Sequence, residues 1–324
     1  MRVVMMGTGT FAEPTFEALL AGPHPVVGLV TQPDRPGGHE RGSTRQTGQG
    51  MKNIALRHNV PVYQPESVNT PEGVAQLRAW QPDLLVVAAY GQILSRDVLA
   101  VPGQGGINVH ASLLPKYRGA APIAWAVYHG ETRTGVTIIR MSVQLDAGDM
   151  LAQEALAIRP DETAGELEAR LAPLGSRMAM EAVERIASGT ACGITQDKTQ
   201  ATKAPKLTKE HGLIDWSRTA EQVCNHIRAM QPWPTAYTFL HRAGQAPLRL
   251  IVNKAAPQPA DGQHEPGAAV VVAGEPLRLR VAAGSGTVVE VLELQPAGKR
   301  RMAAAEFLRG HRLHAGDRFG PASA

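Results

Sequence analysis

A chain of 324 residues, 43% hydrophobic and only 4% aromatic, is long enough for two domains whose cores rest on Ala, Val and Leu. It has no run near the ~20 apolar residues that span a bilayer, its eleven histidines fall in no ligand spacing, and Cys192 and Cys224 form neither a disulfide framework nor a zinc pattern. A membrane span, a disulfide scaffold and a bound metal are therefore not expected, and a reducing cytoplasm fits.

Met1-Arg2-Val3-Val4-Met5-Met6-Gly7 is interrupted too soon for a signal peptide and reads as a first buried strand. Over the first ~110 residues, strand-like runs at Val3–Met6, Val26–Thr31, Val60–Tyr63, Leu84–Ala88 and Ile107–Val109 alternate with helical patterns at Glu13–Leu20, Lys52–His58 and Glu72–Trp80. Such alternation predicts a Rossmann-like α/β domain with an open, mostly parallel sheet. Ligands of such sheets bind beyond the carboxyl ends of the strands, where Asn108 and His110 fall.

Gly7-Thr8-Gly9-Thr10-Phe11-Ala12 matches the permissive form of the dinucleotide fingerprint, and Asp34 follows the second strand as a ribose-binding carboxylate would. This is the basis of a rival, NAD-dependent oxidoreductase. Against it, Asp34 runs straight into a glycine-rich polar stretch, residues 35–51, which is expected to be a mobile surface loop. Further on, Ala121–His129 reads as a helix and Gly135–Met141 as a strand leading into a turn at Asp146; Glu162–Leu171 and Gly175–Ser188 read as two amphipathic helices.

Residues 190–206 have little hydrophobic period and read as a linker, dividing a domain over 1–189 from one over 207–324. In the latter, a helix at Thr219–Met230 is stopped by Gln231-Pro232-Trp233-Pro234. Short strands follow at Ala236–Leu240, Leu248–Val252, Gly267–Val272, Leu277–Val281 and Thr287–Leu294, a spacing that suggests a small β-barrel. Charge divides at the same place. Residues 1–189 carry 16 Lys+Arg against 18 Asp+Glu, whereas residues 190–324 carry 17 against 11. A near-neutral first part followed by a basic second part suits an enzyme joined to a polyanion-binding module.

The chemistry-bearing residues are Asn108-Val109-His110, the stretch Ser112-Leu113-Leu114-Pro115-Lys116-Tyr117-Arg118-Gly119, and the turn Leu145-Asp146-Ala147-Gly148-Asp149. An amide can donate to a developing oxyanion, an imidazole can donate or shuttle a proton, and a carboxylate can orient the imidazole or accept an amine's proton. No Ser or Cys lies in a nucleophile motif such as G-x-S-x-G, so direct acyl transfer to an amine is expected. Together with Thr31-Gln32-Pro33-Asp34-Arg35-Pro36, Ala88-Ala89-Tyr90-Gly91, Ala204-Pro205-Lys206-Leu207-Thr208-Lys209 and Lys299-Arg300-Arg301-Met302, these motifs resemble the folate-dependent formyltransferases over essentially the whole chain. The likeness is strongest to the branch that acts on methionyl-tRNA.

The resemblance implies an OB-like C-terminal barrel, 10-formyltetrahydrofolate as formyl donor, initiator methionyl-tRNA as acceptor, no metal and a monomeric state. It implies catalytic roles for Asn108, His110 and Asp146. A folate wall is expected at Ser112, Leu113, Leu114 and Pro115, completed by Tyr90 and Gly91, and tRNA contacts at Arg41, Arg45, Lys206, Lys209, Lys299, Arg300 and Arg301, with Arg249 and Lys254 as further candidates. One departure stands out: the family usually carries a basic run after Asp34-Arg35-Pro36, where this chain has Gly37-Gly38-His39-Glu40-Arg41-Gly42. A formyltransferase acting on an amino-sugar nucleotide would keep the three catalytic residues but leave the basic C-terminal part unexplained, and an RNA-binding protein without activity would not need them.

Overall fold

A computed structural model of the chain describes residues 1–34, 48–259, 264–272 and 276–323. The chain forms two compact units. The first comprises residues 1–123, 132–160 and 165–206, and the second 124–131, 161–164 and 207–324. Residues 190–206, read from sequence as a linker, are thus built into the first unit.

In chain order the first unit carries β1 (Val3–Gly7), α1 (Glu13–Ala21), β2 (Val26–Val30), α2 (Met51–Arg57), β3 (Val62–Tyr63), α3 (Pro71–Trp80), β4 (Leu84–Ala88), α4 (Arg96–Leu99), β5 (Gly106–His110) and β6 (Arg118–Gly119). Helix α5 (Pro122–Tyr128) passes into the second unit; β7 (Arg133–Arg140), β8 (Met150–Ala157), nearly all of α6 (Ala164–Ala187) and β9 (Lys203–Ala204) complete the first. Its sheet has the order β3-β2-β1-β4-β5-β7-β8, with the first five strands parallel and β7 antiparallel to both of its neighbours, β5 and β8. Every residue of β1 and β4 is buried, as expected of central parallel strands covered on both faces. The open, mostly parallel architecture expected from the sequence is present.

Among the departures from the sequence reading are two long elements of the first unit. Met150–Ala157 is a strand, hidden from pattern recognition because most of its residues are partly or fully exposed at the sheet edge. Helix α6 is a single helix of 24 residues with Pro173 inside it, rather than two. A proline there removes one helical hydrogen bond and costs about 3 kcal/mol. Leu167, Leu171, Met178, Val183 and Ile186 are buried on both sides of it, and that continuous apolar stripe outweighs the break. Gly175 lets α6 approach β5, since a Cβ there would stand 2.8 Å from Val109 Cγ1, between Asn108 and His110 in sequence.

The second unit contains α7 (Ala220–Ala229), β10 (Tyr237–His241), β11 (Leu248–Gln258), β12 (Ala269–Val272), β13 (Arg278–Ala282), β14 (Val288–Pro296), β15 (Met302–Ala303), α8 (Ala304–Gly310) and β16 (Arg318–Gly320). Helix α7 begins with a full capping box, Thr219 with Gln222. The strands form an antiparallel path β12-β13-β14-β11-β10-β16, with β15 against β14. Among the described residues its two end strands meet through a single bridge, Ala268 with Arg318, and not through a ladder. The domain is therefore consistent with the OB-like barrel implied by resemblance, but the barrel is open.

Trp216 and Thr238 are buried in this unit and joined by an indole–hydroxyl hydrogen bond of 3.0 Å. His226 on α7 is 3% exposed, packs edge-on to Tyr128, and donates from Nε2 to the His211 carbonyl at 2.7 Å. Burial pushes its pKa down to about 4, against the opposing effect of that backbone bond. Below the ordinary histidine value near 6.5 the unfolded chain takes up a proton that the folded chain refuses, so stability falls with pH. The contribution of His226 should be complete above pH ~6.5 and lost progressively between about 6.5 and 4, by some 2–4 kcal/mol in total. Urea titrations across that range should show a steeper decline for the wild type than for His226→Gln; parallel curves would refute the assignment.

Candidate active site

Asn108 and His110 lie two residues apart on β5, so their side chains leave the same face of the sheet. Strand β7 runs antiparallel to β5, with Ile107 opposite Arg140 and His110 opposite Thr137. The turn after β7 therefore starts at the wrong end of β5 and has to fold back along it. Gly148 permits this, because any Cβ there would run into the Arg140 carbonyl. Asp146 adopts a left-handed conformation, φ +49°, uncommon outside glycine but tolerated best by Asn and Asp.

The carboxylate of Asp146 ends among donors. Its Oδ1 accepts from Asn108 Nδ2 at 3.3 Å and its Oδ2 from the Gly119 amide at 2.8 Å. His110 Nδ1 stands 3.6 Å from Oδ2, beyond hydrogen-bond reach but within range of direct charge interaction, with both side chains under a tenth exposed. The other ring nitrogen, Nε2, is 2.9 Å from the Tyr117 carbonyl. A carbonyl only accepts, so Nε2 carries the proton there, and the ring presents its Nδ1 edge to Asp146.

The three residues singled out as catalytic are thus brought together. The loop residues are more divided. Ser112 is fully buried and donates to the Lys116 carbonyl, while Leu114 is buried with its amide on Thr137. Leu113 and Pro115 are half-buried and Gly91 is exposed. Tyr90 lies in the core cluster with Val4, Met6, Val30 and Leu94; its carbonyl accepts from Gln32, and its buried hydroxyl has no hydrogen-bond partner among the described residues. Burial raises its pKa well above the usual phenol value.

Arg41 and Arg45 lie outside the described residues. So does most of the glycine-rich loop, whose far root is described: the amides of Gln49 and Gly50 donate to the Glu13 carboxylate at 3.1 and 2.9 Å. Lys206 is exposed in the first unit; Lys209, Lys299, Arg300 and Arg301 are exposed in the second, where Arg300 pairs with Glu306 and Arg301 with Glu293. Arg249 stacks over the Tyr237 ring at 4.2 Å. Asp34 is held by Lys52 at 2.6 Å and Gln64 at 2.9 Å, the Lys52 contact keeping its pKa below the ordinary carboxylate value. Among the described residues no group of three or more His, Cys, Asp or Glu is gathered as metal ligands would be.

Sequence reasoning missed the partners that hold the site. Gln196 and Thr202, from the supposed linker, bond to the Asp146 turn and to the Tyr117 amide, and β9 pairs with β6. No periodicity or motif marks them; only the fold shows their place.

The family model for formyl transferase matches residues 1–183, and that for the formyl transferase C-terminal domain matches residues 206–312. The chain belongs to the formyl transferase family. Among its relatives are the methionyl-tRNA formyltransferase of Trichlorobacter lovleyi, 45% identical over 97% of this chain and 96% of that one, and that of Bacillus subtilis, 43% identical over 98% of each. The N-formyltransferase of Helicobacter canadensis, solved with folinic acid and dTDP-3-aminofucose, superposes with a TM-score of 0.64 over 90% of this chain and 98% of that one; at 15% identity it speaks for the fold alone.

Gly119 offers a test of the site geometry. It has φ +127°, and a Cβ would collide with the Ala204 carbonyl, so no other residue keeps both the β6–β9 pairing and the amide bond to Asp146. Gly119→Ala should lower stability by about 1–3 kcal/mol and formyl transfer at least tenfold. An alanine variant with unchanged melting and turnover would show that this amide does not hold the carboxylate.

Proposed function

We propose that the chain transfers the formyl group of 10-formyltetrahydrofolate to the α-amine of initiator methionyl-tRNA, giving formylmethionyl-tRNA and tetrahydrofolate. The observation that carries it is the convergence of Asn108, His110 and Asp146 at the end of β5, in a family whose near-full-length relatives are methionyl-tRNA formyltransferases. An ammonium is not nucleophilic, so one proton must leave before the nitrogen attacks the formyl carbon. Addition forms a C–N bond and an oxyanion. Collapse breaks the bond to the folate nitrogen, which takes up a proton, while the new amide nitrogen loses one. Starting from the ammonium, one proton is released overall.

Asn108 suits the oxyanion: one amide hydrogen is on Asp146 and the second is available to a developing negative charge. His110 is the second donor to the oxyanion: its Nε2–H is engaged by Tyr117, so it donates from Nδ1, and only once that nitrogen has taken up a proton. Asp146 accepts the amine's proton, directly or through water, and a positive charge arising on His110 is stabilised by the same carboxylate. Leu113, Pro115 and Gly91 offer surface for the flat folate rings, and Tyr90, next to Gly91 in sequence, is set in the core. Cys224 does not suit a covalent route, since burial pushes its thiol up to about 12.

The first unit, extended to residue 206, carries the chemistry, and the basic stretch 190–324, with 17 Lys+Arg against 11 Asp+Glu, holds tRNA, with Arg41 and Arg45 as further contacts. Neither Arg300 nor Arg301 is barred from phosphate by its carboxylate partner, since an exposed pair is worth only ~0–1 kcal/mol. The same reading makes the protein a cytoplasmic monomer; among the described residues no helix is long and apolar enough to cross a membrane.

With 10-formyltetrahydrofolate and charged initiator tRNA, the wild type should yield formylmethionyl-tRNA, and amino-sugar nucleotides should remain unmodified; the opposite outcome would reassign the substrate. Asn108→Ala, His110→Ala and Asp146→Ala should each lower turnover about a hundredfold or more, with tRNA affinity little changed. A variant retaining near-normal turnover at saturation would lose its catalytic role. Affinity for tRNA should fall with salt, with a log–log slope of roughly −0.7 to −0.9 for each phosphate neutralised. Replacing Lys299, Arg300 and Arg301 together by Ala should flatten that slope, and an unaltered slope would exclude the cluster from the interface.

A further inference from the structure

Gln196 stands in the segment between α6 and β9, far in sequence from the three residues above, and is 4% exposed. Both ends of its amide are engaged. Nε2 donates to the carbonyls of Asp146 and Gly148, each at 2.8 Å, and Oε1 accepts from Arg118 Nε at 3.2 Å and Nη2 at 2.7 Å. The orientation of this amide follows from chemistry: a guanidinium only donates and carbonyls only accept, so the reversed amide would face oxygen to oxygen and N–H to N–H. Arg118 thereby dictates which end of Gln196 meets the turn.

The two carbonyls flank Ala147, immediately after the left-handed residue Asp146. Within the turn itself the backbone bonds are Ala147 to Gln144, long at 3.3 Å, and Arg140 to Asp149 at 2.9 Å. A single amide gripping both carbonyls fixes the peptide planes that follow Asp146, and with them the direction of its carboxylate. Arg118 is also the neighbour of Gly119, whose amide holds Oδ2 of that carboxylate. One loop therefore reaches Asp146 twice, through Gln196 to its backbone and through Gly119 to its side chain.

We infer that Gln196 is a positioning residue for Asp146 in formyl transfer, and that Arg118 acts by orienting Gln196; as a statement about turnover, this rests on the function proposed above. Gln196→Glu is the sharpest variant. It keeps an ionic hold on Arg118 but presents no N–H to the two carbonyls. In the full-length chain, kcat with methionyl-tRNA should fall 10- to 100-fold while both KM values stay within about threefold; the variant stays folded but melts lower, since a carboxylate oxygen then faces the two carbonyls. Gln196→Ala should lower kcat similarly, and Arg118→Ala should cost little more when added to Gln196→Ala, because its effect passes through the amide.

A Gln196→Glu kcat within threefold of wild type, a loss confined to KM, or fully additive effects of Arg118→Ala and Gln196→Ala would overturn the inference. A readout independent of activity separates its failure from that of the proposed function. In chain labelled with ¹⁵N-glycine, the Gly119 amide should exchange with solvent at least tenfold faster in Gln196→Glu than in wild type. Unchanged exchange would refute the positioning role. A wild type that forms no formylmethionyl-tRNA, with Gly119 exchange nevertheless accelerated in the variant, would refute the substrate assignment and leave the clamp standing.

Discussion

The carboxylate of Asp146 depends on chain segments that lie far apart in sequence. Asn108 arrives on β5, Gly119 from the loop after it, Asp146 itself from the turn after β7, and Gln196 from beyond α6. The turn has to travel back along β5 with a non-glycine residue at positive φ, a conformation that persists only where its surroundings over-determine it. The sheet supplies Asn108 and His110 at fixed spacing, but a reaction that moves protons also needs the carboxylate at fixed distance. That distance is set by backbone bonds made to both ends of the turn.

This explains why residues 190–206 matter to the first unit. Thr202 accepts from the Tyr117 amide, the Arg118 amide donates to the Thr202 carbonyl, and Ala204 receives the Ala121 amide. The Tyr117 carbonyl in turn engages His110. A stretch without hydrophobic period is therefore ordered by hydrogen bonds, and it orders in return the loop that faces the imidazole. A truncation at Gly189 would remove these bonds along with the supposed linker.

What could be read from sequence follows from the kind of force involved. Buried parallel strands such as Val3–Gly7 and Leu84–Ala88 show as apolar runs because both faces are covered. Asn108, His110 and Asp146 were legible as residue types matched to acyl transfer, within motifs resembling a known family. The edge strand β8, the unbroken helix across Pro173 and the Gln196 clamp were not legible. Each is decided by tertiary surroundings: an exposed edge without alternation, an apolar stripe that overrides a local breaker, and a glutamine whose partners lie some 50 and 80 residues upstream. Tyr90 shows the converse case, since a motif placed it beside a ligand whereas packing set its ring in the core.

The two borders of the first sheet have a bearing on behaviour at high concentration. A sheet border with free N–H and C=O groups is a template for another chain, and proteins blunt it by shortness, charge or cover. Here one border, β3, is only two residues long. The other, β8, carries Glu154, both of whose carboxylate oxygens accept from Arg177 Nη2, and at Met150 it is capped by reciprocal backbone bonds with Ile194. Neither border offers a long, flat, uncharged strand for stacking, so the first unit is built to resist fibrous self-association even when chains are crowded.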